Sequence, residues 1–296
     1  MAEETQALGA AFEVLAPAIG SVDRVLLTHG NGPQVGNLLL RSELSVEAGV
    51  LPGLPLDTCV ADTAGGLGYL VGRELANALA RAGTRRETVA IVTRTAVRPL
   101  VAGEDVPLKP IGHELPADRR LELEARGWTV VELPNGSVRR VVPSPEPLGV
   151  LELATIRSAF ERGTVVIAGG GGGVPVCTAP DGSIVGVEAV VDKDLVSALL
   201  ALELRADTLL ILTDVECVFL DYGGPAERPL GEIDVASLRR FQRAGSFGEG
   251  SMNPKVEAVA RFVEGGGRRG VVCALGDAAL GLAGRSGTQV VAGSGS

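Results

Sequence analysis

Aromatic residues are scarce: one Trp, two Tyr and six Phe make up 3% of 296 residues. Binding single-stranded nucleic acid by base stacking needs an aromatic platform, and so few rings exclude one. Basic charge is also short. Lys and Arg number 27 against 36 Asp and Glu, for a net charge of −9, and no basic stripe runs along any segment, so nucleic acid is excluded as a partner. The only two histidines, His29 and His113, have no partner at metal-ligand spacing, which argues against a zinc or iron centre and leaves no dedicated metal ligand to name. Four cysteines, Cys59, Cys177, Cys217 and Cys273, are scattered beside apolar runs without a Cys-x-x-Cys pair. They read as free thiols of a reducing compartment, the cytoplasm. No apolar run approaches a membrane span, and residues 1–20 lack the basic start of a secretory leader.

What is abundant is glycine, 41 residues, within a composition that is 46% apolar and rich in Val, Leu and Ala. That suits aliphatic parallel strands buried on both faces and joined to helices by tight turns. Periodicity predicts helices at residues 4–19, through Leu38–Leu40, at 61–82, 151–162, 193–204, 235–244 and 254–264. Strands are expected at 24–28, 89–93, 164–168, 208–213 and 270–274, with a β-rich excursion at 184–191. The strand at 270–274 is the last one expected, before a glycine-rich tail that frays. Residues 94–147 break the rhythm and read as an inserted flap, about 94–142, with a hairpin at Pro134-Asn135-Gly136 whose Asn-Gly suits a type I′ turn. The fold class predicted is α/β: a three-layer αβα sandwich with a mostly parallel central sheet and a small protruding subdomain. The division expected is residues 1–147 and 148–296.

Four constellations carry chemistry. The first, Thr28-His29-Gly30-Asn31-Gly32-Pro33, is a strand end turning into a helix, where backbone N–H groups point outward and suit an anion. Gly-x-Gly alone serves many turns structurally; the full string HGNGPQVG has more polar content than a turn needs. The second is the run Gly169–Gly173, five glycines that are costly to order, at the carboxyl end of a strand. Its place favours a phosphate cradle over a plain flexible loop. The third and fourth are paired anomalies. Asp192 reads as an N-cap and Lys193 falls in the first helical turn, where the helix dipole disfavours positive charge. Asn253 reads as a cap, Pro254 as the first helical position, and Lys255 again falls in the first turn. Two such lysines suggest bound anions that offset the misplaced charge, as in phosphoryl transfer. Lys109, in Pro107-Leu108-Lys109-Pro110, reads as a lysine on a proline-stiffened mobile segment.

The strings HGNGPQVGNLLL, CVADTAGGLG, KPIG, RRVVPSPEP, GGGGVPV, VEAVVDKDL, LTDV and GSMNPKVEA occur in the order found in carbamate kinases. Over roughly residues 5–290 the chain resembles that family of the amino-acid kinase superfamily. The resemblance implies an ATP-dependent enzyme that moves a phosphoryl group between carbamoyl phosphate/ADP and carbamate/ATP. It implies an acceptor half, 1–147, with a subdomain protruding over it, a nucleotide half, 148–296, and a homodimer. Lys109, Lys193 and Lys255 would gather at the phosphates as catalytic groups. Gly30, Asn31 and Gly32 would line the acceptor, with Gly170, Gly171 and Gly172 near the transferred group. Asp192, Asp214, Tyr222 and Met252 would fall in or beside the nucleotide site, and Mg²⁺ would be held mainly by phosphate oxygens.

Departures from the family bear on function. Family members begin with a strand and a Gly-Gly-Asn-Ala loop, expected to bind the transferred phosphoryl, and this sequence starts at the helix that follows. Either a start codon lies upstream or the loop has been lost. Arg94 and Ala64 stand where the family has Gln, and the flap lacks a usual Lys-Glu-Asp. Two alternatives therefore stay beside the kinase reading: a nucleotide-binding regulatory subunit without turnover, and a kinase acting on another small carboxylate.

Overall fold

A computed structural model describes residues 2–101, 104–106, 109–247 and 252–293. The first helix, α1 (Ala2–Gly20), is followed by β1 (Leu26–Leu27), α2 (Gly32–Glu47), α3 (Leu56–Arg81) and β2 (Thr88–Ala90). Leu8, Phe12, Leu15, Ala16 and Ile19 recur at helical spacing on α1 and pack against Val71, Leu75, Ala78 and Leu79 of α3. β3 (Arg94–Ala96) comes next, then β4 (Lys109–Leu115), α4 (Arg120–Ala125), β5 (Thr129–Glu132), β6 (Val138–Val142), β7 (Gly149–Val150), α5 (Leu153–Glu161) and β8 (Val165–Ile167).

β8 lies between β1 and β2 and is parallel to both, with Val166 opposite Leu26 and Val89. All three β8 residues are buried, as expected of a strand covered on both faces. Because β8 follows residue 148 in sequence yet sits among earlier strands, the sheets are not divided where the sequence was. Arg86 clips this corner together, donating to the carbonyls of Ile19, Val22, Asp23 and Gly163.

The second half adds β9 (Val174–Thr178), β10 (Ile184–Gly186), α6 (Lys193–Glu203), β11 (Thr208–Thr213), β12 (Phe219–Leu220), β13 (Arg228–Pro229), β14 (Glu232–Asp234), α7 (Val235–Arg243), α8 (Met252–Glu264), β15 (Arg269–Ala274), α9 (Ala278–Leu282) and β16 (Thr288–Val291). The sheet order here is β11-β15-β16-β14, over a core that includes Leu238, Val256, Val259, Phe262 and Val272. The architecture is α/β, with parallel strands between helices.

Three expectations change. The segment after Ala274 does not fray: β16 returns antiparallel to β15, Val272 facing Thr288. A glycine-rich surround hid this short strand; residues 294–296 lie outside the described part. The flap does not begin at residue 94, because β3 pairs with β9 and β7 within the body. The protruding sheet is β4-β6-β5 alone. Its hairpin turn is not type I′. Pro134 fixes a negative φ, so the turn is type I with Gly136 left-handed at φ +80°, and Gly136 N donates to Leu133 O at 2.8 Å.

Candidate active site

Three chain segments meet where β1 and β8 end. Thr28 and Ser197 join β1 to α6 through hydroxyls 2.7 Å apart, and Ser197 donates to the Lys193 carbonyl at 2.7 Å. Gly30 faces Lys193 directly, since a Cβ there would lie 3.6 Å from Lys193 Cδ. Asn31 is 2% exposed and donates from Nδ2 to Thr63 Oγ1 at 3.0 Å, and Thr63 donates to Cys59 O at 2.7 Å. Gly32 opens α2, with Pro33 following it in the first turn.

The glycine run Gly169–Gly173 sits against this loop and is used differently from the cradle expected. Gly171 N donates to His29 O at 2.7 Å, Gly172 N to Gly169 O at 3.0 Å and Gly173 N to Gly170 O at 3.1 Å. Gly169 N donates to Thr93 Oγ1 at 2.9 Å. These four amides are spent inside the fold. What the run provides is closeness: Cβ atoms at Gly170 and Gly171 would lie 2.5 Å from His29 Nε2 and 2.2 Å from Asn31 Nδ2. The loop and the run together form a backbone wall beside Lys193.

The lysines converge from three elements. Asp192 caps α6, accepting from Asp194 N at 2.9 Å and Leu195 N at 3.3 Å. Its other oxygen holds Lys109 from β4. Lys193 Nζ lies 2.9 Å from Asp194 Oδ1, and Lys255 Nζ from α8 lies 3.1 Å from Asp194 Oδ2. Burial works to raise the Asp192 pKa, but the Lys109 charge and the bonds from Lys109 and the helix amides win and hold it below the usual carboxylate value. Lys109 is thus part of an ordered strand with a partner, not a free surface charge. Lys255 is 9% exposed, so its charge is balanced by a buried carboxylate. Asn253 does not cap α8; it lies within the helix, after Met252, and accepts from Gln242 Nε2 at 3.2 Å.

Asp194 is the residue that sequence reading passed over. An acid in the first turn of a helix is ordinary, and its tie to Lys255 spans 61 positions. The signal available was the sequence Asp-Lys-Asp itself, a lysine flanked by acids at one helix start.

The remaining candidates lie apart from this cluster's contacts. Asp214 is exposed at the end of β11 and accepts from Thr213 Oγ1 at 3.0 Å. Tyr222 is 69% exposed, its ring 5.7 Å from that of Phe219. Met252 packs on the β11-β15 core, three residues before Lys255. Arg94 is held by Glu152 at 2.6 Å, and Ala64 is buried in α3. Among the described residues, no group of three His, Cys, Asp or Glu side chains surrounds a common point. No helix among them is long and apolar enough to cross a membrane.

His29 makes the site sensitive to pH. Burial pulls its pKa below the ordinary value, the Gly30 carbonyl opposes this, and Lys193 adds to it. Since the unfolded chain then takes up the proton first, the stability tied to neutral His29 is complete above about pH 6.5 and is lost as pH falls below it. Urea unfolding at pH 7.5 and 5.5 should show a larger loss for the wild type than for His29→Gln. Equal losses would remove His29 from this role.

The sequence profile of the amino acid kinase family matches residues 1–274. The chain is 45% identical to the carbamate kinase of Thermococcus kodakarensis over 269 residues, 90% of this chain and 85% of that one. It superposes on the carbamate kinase of Giardia lamblia bound to citric acid with a TM-score of 0.91 at 32% identity, covering 99% of this chain and 92% of that one. The same Giardia enzyme bound to AMP-PNP gives a TM-score of 0.88 at 33% identity, covering 98% and 91%. With the family profile matched across most of its length and relatives this similar, the chain belongs to the amino acid kinase family.

Proposed function

We propose that this chain is a carbamate kinase, catalysing carbamoyl phosphate + ADP ⇌ carbamate + ATP, run toward ATP. The observation that carries the reading is the meeting of Lys109, Lys193 and Lys255, from three separate elements, on the adjacent carboxylates Asp192 and Asp194. Phosphoryl transfer between two anionic oxygens needs positioned positive charge more than covalent chemistry. Incoming phosphate oxygens would take over the lysines from the two aspartates, so binding exchanges one set of anions for another. Gly30, Asn31 and Gly32 would line the acceptor within residues 1–147, with Gly170, Gly171 and Gly172 closing the wall behind the transferred group. Asp214, Tyr222 and Met252 would border the nucleotide within residues 148–296.

A Mg²⁺ would be held mainly by phosphate oxygens, with Asp192 and Asp194, freed as the phosphates take over the lysines, the carboxylates nearest to it. When bound, that ion supplies further neutralisation of phosphate charge. The free thiols Cys59, Cys177, Cys217 and Cys273 suit the cytoplasm. The assembly that goes with this reading is a homodimer, which light scattering would read as twice the chain mass.

The test is ATP formation by the purified chain from MgADP and carbamoyl phosphate, with acetyl phosphate alongside. Turnover selective for carbamoyl phosphate is the expected result. Turnover with the other acyl phosphate alone would move the acceptor assignment. Nucleotide binding by calorimetry without any turnover would replace the enzyme with a regulatory subunit.

A further inference from the structure

The flap that delivers Lys109 is fastened to the body by contacts that do not include the lysine. β4 crosses α2 backbone to backbone: a Cβ on Gly36 would lie 1.9 Å from Gly112 Cα, and Gly112 itself sits at φ +70°. The same face of α2 continues through Leu39, Leu40, Glu43 and Glu47 at helical steps. Glu47 pairs with Arg126, and Glu43 lies 3.5 Å from Arg140 Nη1. The Arg140 guanidinium lies 4.4 Å from the centre of the Trp128 ring, the only tryptophan in the chain. Arg140 faces Ile111 across the β4–β6 ladder, two residues from Lys109. Ile111 is buried with Val35, Leu39, Val142 and Val190, and Val190 N donates to Pro143 O at 3.1 Å just before the Asp192 cap. Burial lowers the Arg140 pKa, while the Glu43 and Glu188 carboxylates act to keep its charge. Glu188 also accepts from Leu56 N at 2.9 Å at the start of α3.

One guanidinium therefore stands among the flap, α2 and the segment leading into α6. A planar guanidinium stacks on a ring and pairs with a carboxylate at once, which an ammonium does less well. The Gly36–Gly112 crossing allows the flap to rest on α2, but a contact between two glycine backbones has no side chain to fix the angle. Ile111 seats beside it on Val35 and Leu39, and the charged stack adds the directional restraint.

We propose that Arg140 is a positioning residue for phosphoryl transfer: stacked on Trp128 and paired with Glu43, it holds the flap against α2 at the height that brings Lys109 to Asp192, and so sets affinity for the small anionic acceptor beneath the flap. This rests on the reading of Lys109 as a phosphate-neutralising lysine. Arg140 acts through Lys109, so the kinetic signature is a split between substrates and a dependence on Lys109.

Arg140→Met keeps an apolar stem on the ring and removes the charge. It should raise KM for carbamoyl phosphate about tenfold with KM for ADP changed less than about twofold. Glu43→Gln should act in the same direction with a smaller effect, and Arg140→Lys should restore affinity only in part. In a Lys109→Met background, adding Arg140→Met should leave KM for carbamoyl phosphate nearly unchanged. A full tenfold rise in that background, or equal rises for both substrates, would overturn the proposal. If the wild-type chain has no turnover, the proposed reaction fails and the positioning claim is read separately. Arg140→Met and Glu43→Gln should then speed amide hydrogen exchange in β4 and β6 and shift Trp128 emission, leaving β11 and β15 unchanged. Unaltered exchange in β4 and β6 would refute the latch.

Discussion

Lys255→Met should lower the rate of ATP formation by roughly 10²–10³-fold, the usual loss when a charge donor to the reacting centre is removed. It should also cost about 2 kcal/mol of folding stability, because Asp194 Oδ2 loses its buried partner and Lys193 reaches only the other oxygen, through a side chain open to water. The side chains of Lys255 and Asp194 are 11% and 7% exposed, so little water reaches the carboxylate left behind. Lys193 provides the contrast. It binds the other oxygen of Asp194, but its side chain is 36% exposed. Lys193→Met should therefore give a similar rate loss while costing only about 1 kcal/mol, since Lys255 still covers the buried carboxylate and an exposed pair contributes little. Steady-state rates and urea unfolding on both variants separate the two effects. Equal stability losses would mean that Asp194 is not the shared counter-charge, and near-normal rates would remove both lysines from the phosphoryl site.

That contrast marks the limit of what the sequence made legible. Lys193 and Lys255 stand out because a positive charge in a helix's first turn is locally unfavourable, and local conflict is visible in a string of residues. Taken alone, that local argument would let either lysine be removed without harm to folding. Asp194 reverses that for Lys255, and it does so through a contact 61 positions distant that no local rule reports. Repeating strand and helix periods made the framework readable, from the helices α1 and α3 to the strand at 208–213. Among the elements missed, two had little periodicity to offer. β16 has four residues amid glycines, and β3 has three at the mouth of an irregular stretch. Each is a strand because of its neighbours: β15 for one, β9 and β7 for the other. Tertiary pairing decides such segments, and propensity does not.

The glycine run offers the second large effect. Its five residues look like a flexible phosphate loop, yet four of its amides are already donated within the chain. If the run is instead a packing surface, the sensitive quantity is volume. Gly171 tests this, because it combines a left-handed backbone at φ +66° with a Cβ position 2.2 Å from the Asn31 amide. Asn31 is 2% exposed and tied to Thr63, so it has nowhere to retreat. Gly171→Ala should cost about 1–2 kcal/mol for the backbone and a further 1–3 kcal/mol or so for overpacking. It should also displace Asn31 and with it the loop facing Lys193, lowering turnover at least tenfold or so by misplacing the reacting groups. Gly182→Ala is the matched control: its φ of +84° is equally left-handed, but nothing lies within 4 Å of the added methyl. That variant should lose only the backbone share and keep its rate. Thermal and urea unfolding of the pair, with rates measured alongside, give the comparison. Should Gly171→Ala match Gly182→Ala in stability and retain full activity, the run is the slack loop it first resembles, and the close wall beside Lys193 has no part in positioning the transferred group.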